Sequence, residues 1–422
     1  MSSPLGSRED SQAGAAPPRT MCDAFAATVR RCAGRVALRA ADGEVITWER
    51  YGARARDLAA ALHELGVRRG DRLGIVAEAA LERHVVDAAA MLLGAIPFFL
   101  HPSVPPADVE DVLRSARPRL LIVDDHLEEA VPRHRSLAVS DLPVLEERGA
   151  ASEFDVGAAA SAVAPQDVLA LDYTSRRTGM PVGVPVTHAG AVFLGTAVAA
   201  RLHRLPREAE VVAQTAGAGL AHRAICQYWP MVGGHAVTCC RDVVAAVAAV
   251  RATRPHVVAG PVPLFEALWA AAVNAGRPGA PGDARALRAM HGLDRFTYGV
   301  ATGGRGGQGR LEDLIGLDVS ETWGVSECGG IATLGAPGAV RPGTRGTPLP
   351  GVEVRLAADG EIQVRSAGVM PGYWERPDLT AEAFTPDGWL RSGDVGELDA
   401  DGYLSVLGRV PDVHGPAVVT DS

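Results

Sequence analysis

LDYTSRRTGMPVGVPVTH, residues 171–188, reads as the end of an apolar strand, a turn rich in hydroxyls and glycine, and the approach to a helix. Tyr173, Thr174 and Ser175 follow the strand DVLALDYTS, and Thr178, Gly179, Pro181 and Gly183 precede the helical segment AGAVFLGTAVAARLHRL. Hydroxyls and backbone N–H groups on such a turn wrap a phosphate, above all beside a helix N-terminus. An ordinary connecting turn has the same local composition. The spacing is not that of the G-x-x-x-x-G-K-[ST] loop, and no lysine follows.

Working outward, strands alternate with helices on both sides. Upstream lie RLGIVAE, IPFFLHP and RLLIVDD as strands, with ARARDLAAALHELGV, ALERHVVDAAAMLLGA and DVEDVLRSAR as helices. Downstream the alternation continues with VVAQTA, AVTCC and DVVAAVAAVRATRPHVVAGP, and LFEALWAAAVNAG as a further helix. That alternation predicts an α/β fold with parallel sheet under helical cover. From Gly346 the pattern changes to short period-two strands, GVEVRL and EIQVRS, separated by frequent turns, which predicts a smaller barrel-like β unit.

The chain has 422 residues, 47% of them apolar, enough for more than one core. Its formal charge of −9 argues against a nucleic-acid partner. Six cysteines without paired metal spacing fit a reduced, cytoplasmic protein. No apolar run is long enough for a membrane span, and residues 1–20, rich in Ser, Pro, Gly and Ala, are expected to be a disordered lead-in. All 41 basic residues are arginine, so no mechanism that needs a lysine is open to this polypeptide.

Taken with the rest of the chain, residues 171–188 resemble the signature loop of the adenylate-forming superfamily, which includes the acyl- and aryl-CoA synthetases. Members typically read Y-T-S-G-T-T-G-x-P-K-G-V and then a histidine. Tyr173, Thr174, Ser175, Thr178, Gly179, Pro181, Gly183, Val184 and His188 agree, whereas Arg176, Arg177 and Val182 replace a glycine, a threonine and the lysine. ETWGVSECGG, residues 321–330, resembles the later adenine and magnesium motif, and YGVATGGRG the turn that lines the nucleotide and acyl pocket. PGYWERPDLTAEAFTPDGWLRSGDVGELDADGYLSVLGRVPD, residues 371–412, is similar to the end of the family's large domain over its whole length. The resemblance covers residues 22 to 413.

This resemblance implies two βα subdomains packed face to face plus a small β-barrel. The expected division is 21–190, 191–340 and 341–408, with 409–422 as a hinge remnant. It implies ATP-dependent activation of a carboxylic acid to an acyl-adenylate. Thr174, Ser175, Arg176, Arg177, Thr178 and Gly179 would surround the phosphates. Trp323 and Gly324 would lie beside adenine, with Ser326 keeping the motif's hydroxyl. Glu327 would be catalytic and would help hold Mg²⁺. Asp394 and Arg409 would reach the ribose, and Asp412 falls on the hinge position. Gly303 and Gly304 would wall the pocket, with Gly217, Gly219 and His222 on its acyl side.

The implied cofactors are ATP or AMP and Mg²⁺, with CoA or a carrier protein as acyl acceptor. The substrate expected from the small lining residues 216–219 is an apolar acid, fatty or aromatic. Only VHGPAVVTDS follows the hinge, so the family's mobile lysine-bearing domain is expected to come from another chain, if from anywhere. The altered loop implies impaired ATP chemistry in this chain alone, and the alternative is a non-catalytic binding scaffold. Oligomeric state stays open, a dimer included.

Overall fold

A computed structural model describes residues 16–41, 43–77, 80–101, 104–131, 134–174, 181–206, 208–214, 219–274, 283–302 and 316–410. The lead-in expected at residues 1–20 therefore lies mostly outside the described residues, as does the hinge position Asp412.

The chain opens with helix α1 (Met21–Cys32), strands β1 (Val36–Ala40) and β2 (Val45–Thr47), and helix α2 (Trp48–Glu64). Next come β3 (Arg72–Val76), α3 (Ala80–Leu93), β4 (Ile96–Phe99), α4 (Pro106–Ala116), β5 (Leu120–Val123) and β6 (Ser136–Ala138). They are followed by α5 (Leu142–Ala150), α6 (Val156–Ser161), β7 (Val168–Thr174), β8 (Val182–Thr187) and α7 (His188–Arg201). The second half begins with β9 (Glu210–Gln214), α8 (Leu220–Arg223), a π-helical turn Ala224–Tyr228, α9 (Trp229–Gly233) and β10 (Ala236–Cys240). It continues through α10 (Val243–Thr253), β11 (Val257–Pro261), α11 (Val262–Asn274), α12 (Asp283–Met290), β12 (Tyr298–Thr302) and β13 (Val319–Glu321).

Two large sheets result. One has the order β6-β5-β3-β4-β7-β8, parallel throughout except for the antiparallel β7–β8 pair. The other has the order β13-β12-β11-β9-β10-β1-β2, parallel except for the β1–β2 hairpin. Side-chain alternation along single strands assigns the faces. Leu73 and Ile75 of β3 and Val211 and Ala213 of β9 enter one shared core with α1, α2, α3 and α7. The opposite faces pack separately, Leu121 and Val123 against α4, and Val212 and Val258 against α10 and α11. The layers are therefore helix, sheet, central helices, sheet, helix, the face-to-face arrangement expected of two βα subdomains.

The central layer is tightly keyed. Phe25 meets Tyr51 edge-on at 5.0 Å, and the Tyr51 hydroxyl donates to the His84 carbonyl at 2.9 Å. A β-carbon on Gly149 of α5 would sit 1.7 Å from the Asp57 carbonyl oxygen of α2, so the two helix backbones meet where no larger residue fits. Thr20 and Asp23 close a reciprocal capping box that starts α1, as the Ser/Thr-x-x-acid spacing requires.

Two findings depart from the linear expectation. The segment from Val182 to Thr187 is a strand paired with β7, where the sequence led directly into a helix. Pro185 and Gly183 hide it in the sequence, yet an outermost strand tolerates both. The β1–β2 hairpin, placed by residue number in the first subdomain, adds to the second sheet through Leu38↔Val237 pairing. The third unit is an antiparallel meander of β16 (Glu353–Leu356), β17 (Glu361–Arg365), β18 (Leu390–Leu398) and β19 (Leu404–Arg409), beside a ribbon of β14 (Thr333–Leu334) and β15 (Thr347–Pro348).

Candidate active site

The turn after β13 is the centre of the site. Gly324 comes so close to Gly330 and Ile331 that an added β-carbon would lie 2.7 Å from their backbone atoms. This forces the tight turn in which Ser326–Cys328 forms one turn of 3-10 helix. Gly329, at φ +81°, ends that turn, where a β-carbon would strike Leu194 of α7 at 2.4 Å. The turn contacts both β8 and β18, so it sits where the three units meet.

Each polar side chain on this turn is held from elsewhere in the chain. Glu327 is 6% exposed, and the Tyr373 hydroxyl donates to its Oε1 at 2.6 Å. Its carbonyl accepts from the Met370 amide at 2.8 Å. Ser326 Oγ donates to Asp172 Oδ2 on β7 at 2.7 Å. Burial pushes the Asp172 carboxyl above its ordinary range, with Ser326 and the Arg223 guanidinium pulling it down and Glu327 adding to the rise.

Four residues before Glu327, the Trp323 indole N–H donates to Asp394 Oδ2 at 2.9 Å. The other oxygen of Asp394 lies 3.3 Å from Arg409 Nε, its direct cross-strand partner on β19. Gly393, at φ +73°, turns the strand just ahead of this carboxylate, and Ser392 Oγ accepts from the Asp394 amide at 3.0 Å. Trp323, Asp394 and Arg409 thus form one linked group, and the turn that carries Glu327 contacts the same strand β18.

Of the expected phosphate loop, only the margins fall within the described residues. Thr174 ends β7 and pairs in register with Val182. Ser175, Arg176, Arg177, Thr178 and Gly179 lie outside the described residues, as do Gly217, Gly303 and Gly304. Val182 is 5% exposed and belongs to the central core. The Gly183 carbonyl accepts from the Trp374 amide at 2.8 Å, which fastens the PGYW turn and its Tyr373 to β8.

On the expected acyl side, Gly219 precedes α8 and His222 lies within it, 8% exposed. Gly330 fastens this helix to the Glu327 turn, since a β-carbon there would lie 2.2 Å from the Ala221 nitrogen. Arg223 Nη2 donates to both oxygens of Asp87 at 2.7 and 2.9 Å, and Gln227 donates to the same carboxylate. Burial, followed by Arg83, His84 and Arg223, pushes His222 down to about 3, so the ring is neutral at ordinary pH.

Asp172, Tyr373, Asp87 and Arg223 were not singled out in the sequence. The first two stand inside motifs that had been recognised, LDYTS and PGYW, so their positions were in view. Asp87 lies on a helix whose apolar pattern reads as packing alone.

The sequence profile described as AMP-binding enzyme matches residues 25–374. The chain belongs to the AMP-binding enzyme family. Putative fatty-acid--CoA ligase fadD11 of Mycobacterium tuberculosis is 32% identical over 328 residues, which span 67% of this chain and 57% of that protein. The fold is similar to that of a Mycobacterium tuberculosis fatty acyl CoA synthetase, with a TM-score of 0.80 at 19% identity over 93% of this chain and 79% of that one. It also matches the inhibitor-bound N-terminal domain of FACL13 from Mycobacterium tuberculosis, with a TM-score of 0.79 at 19% identity over 93% of this chain and all of that one. The fold is thus that of the large domain of adenylate-forming enzymes. No helix among the described residues is long and apolar enough to cross a membrane.

The residues at the turn fit a magnesium ion that arrives with a nucleotide. No group of three or more acidic, His or Cys side chains forms a ready cage among the described residues. Mg²⁺ is commonly held by one or two carboxylates together with phosphate oxygens and water, and Glu327 would be the residue to offer such a hard oxygen donor here.

Proposed function

We propose that this chain activates a carboxylic acid by adenylation. A carboxylate oxygen of the acid attacks the α-phosphorus of ATP, the α–β bridging bond breaks, and acyl-adenylate and pyrophosphate result. The observation that carries this reading is the linked group Trp323, Asp394 and Arg409 beside the turn that holds Glu327, in an AMP-binding enzyme. Asp394 would accept from the ribose hydroxyls, exchanging its bonds to Trp323 and Arg409 for them. Trp323 would then be free to lie along the adenine ring. Tyr373 and Asp172 are the positioning residues, holding Glu327 and Ser326 against rotation. Mg²⁺, when bound, would neutralise charge on the phosphates, and the part of this chain is to hold the Glu327 carboxylate in position. CoA would be the acceptor in the following step.

Turnover by this chain is proposed to be slow. Val182 occupies the position of the family's loop lysine, and its side chain is packed in the central core without charge. Arg176 and Arg177 add bulk to the same loop. Two measurements test the reading together: calorimetry with a non-hydrolysable acyl-sulfamoyl adenosine, and ATP–pyrophosphate exchange over fatty and aromatic acids. Binding with weak exchange, raised in Arg176→Gly/Arg177→Thr, is the expected outcome. Absence of binding by folded protein would refute adenylation in favour of a scaffold. Strong native exchange that collapses in the double variant would instead make the arginines the phosphate clamp.

A further inference from the structure

A small cavity of about 20 Å³ is lined by Arg83, His84, Phe99, His222, Arg223 and Gln227. That is room for about one water-sized group. A pocket for a purely apolar tail would be lined by aliphatic and aromatic side chains, but five of these six are polar or charged. The guanidiniums of Arg83 and Arg223 lie over the same Phe99 ring, 4.3 and 4.8 Å from its centroid. Burial, followed by repulsion from Arg223, lowers Arg83 to about 10, which leaves it a cation at neutral pH.

One buried nitrogen at this cavity, His222 Nε2, meets no hydrogen-bond partner among the described residues. His222 is 8% exposed and Arg223 4%, and Arg223 is engaged by the Asp87 carboxylate and the Tyr228 hydroxyl. The Cys226 thiol lies 3.6 Å from His222 Nδ1, and burial keeps that thiol protonated. In the tautomer in which Nδ1 accepts from the thiol, the ring proton is on Nε2. Nε2 is then a buried donor without an acceptor, which costs stability when left unmet.

The helix that supplies His222 and Arg223 to the cavity packs against the Glu327 turn. Arg223 acts electrostatically on Asp172, which holds Ser326, and α8 is fastened to the Glu327 turn through Gly330. We propose that the acid activated by this chain is a dicarboxylic acid, whose second carboxylate puts an oxygen into this cavity beside the Arg83 guanidinium and accepts from His222 in the tautomer protonated on Nε2. The proposal rests on the adenylation reading and replaces the apolar acid expected from the small residues at 216–219. A buried carboxylate needs paired cations and donors, and the lining supplies both.

The test uses the full chain and calorimetry with sulfamoyl adenosines carrying matched tails: succinyl against butyryl, glutaryl against valeryl, adipyl against hexanoyl. For at least one pair the dicarboxylate form is expected to bind tenfold or more tightly, about 1.4 kcal/mol. Arg83→Met and His222→Leu, each checked for native melting, are expected to erase that preference. Arg83 is only partly buried, so its variant keeps the comparison available should the histidine variant not fold. Equal binding within every pair, or tighter binding of the monocarboxylates, would overturn the proposal, leave the cavity to a water molecule and leave adenylation standing. A preference that survives both variants would overturn it too. Failure of all six analogues to bind would remove the adenylation reading and this proposal together.

Discussion

Replacing Tyr373 by Phe deletes one oxygen atom and isolates the bond that aims Glu327. Tyr373 is 5% exposed and Glu327 6%, so water does not readily take the place of the 2.6 Å hydrogen bond. A bond to a charged group of this kind contributes about 1.5–3 kcal/mol. For 422 residues unfolding as one unit, the unfolding entropy is about 0.9 kcal/mol/K, so the loss lowers Tm by about 2–3 °C. The functional effect is more specific. A residue that orients a metal ligand changes metal affinity by about 10- to 100-fold, so the magnesium-dependent part of ATP affinity is expected to fall by about tenfold or more. ATP affinity measured with excess chelator is expected to stay unchanged. The assay is calorimetry of both proteins with ATP, with and without Mg²⁺, alongside thermal melting. An equal loss in both conditions would refute the argument, because it would make Tyr373 part of the cleft wall rather than the support of Glu327. A variant indistinguishable from the native protein in every measurement would refute it as well.

Asp394→Asn keeps the volume but removes the charge beside Arg409, and nucleotide affinity is expected to fall at least tenfold, about 1.4 kcal/mol, by calorimetry; unchanged affinity would dissociate Asp394 from the ribose. Gly149→Ala drives a β-carbon into the Asp57 carbonyl, 1.7 Å away, and is expected to cost about 3 kcal/mol in chemical denaturation. A wild-type midpoint there would mean that α2 and α5 do not cross as described. Burial lowers His188 and His235 to about 4 and His84 and His222 to about 3, so the unfolded chain takes up protons below pH 6.5 that the folded chain refuses. Stability is therefore full above pH 6.5 and falls as pH drops towards 4, each histidine withdrawing up to about 2 kcal/mol by pH 5. His235→Gln should flatten a pH series of melting curves, and an unaltered slope would contradict the buried neutral ring.

The α/β class was legible because parallel strands buried on both faces read as apolar runs, and β3, β5, β9, β10 and β11 all do. Sheet membership was not. A strand of the β1 type carries no mark of which sheet it joins, since its partner lies at Val237 and only packing brings the two together. The β8 strand was missed because Gly183 and Pro185 are turn residues in isolation, and the pairing with β7 overrides that preference. In the candidate site, Trp323, Glu327, Asp394 and Arg409 could be singled out beforehand because the motifs they stand in resemble the family's in order and spacing. The polar cavity was missed for the opposite reason. Its lining comes from α3, β4, α8 and the π-helical turn, and a one-dimensional reading of residues 216–219 sees only their small side chains.

The β1–β2 hairpin also sets a timetable for biosynthesis. Leu38 pairs with Val237, so β1 leaves the ribosome nearly two hundred residues before the strand it must join. At translation rates of about 5–20 residues per second the wait is roughly 10–40 s. During that interval β3 to β8 can close into their own sheet, because every strand they need is already made. The hairpin then docks late and fills the edge of β10 once that strand emerges. Assembly of the second sheet is therefore gated by the return of the chain's earliest strands, and a lesion in residues 36–47 should leave nascent chains with a formed first sheet and an uncapped second one.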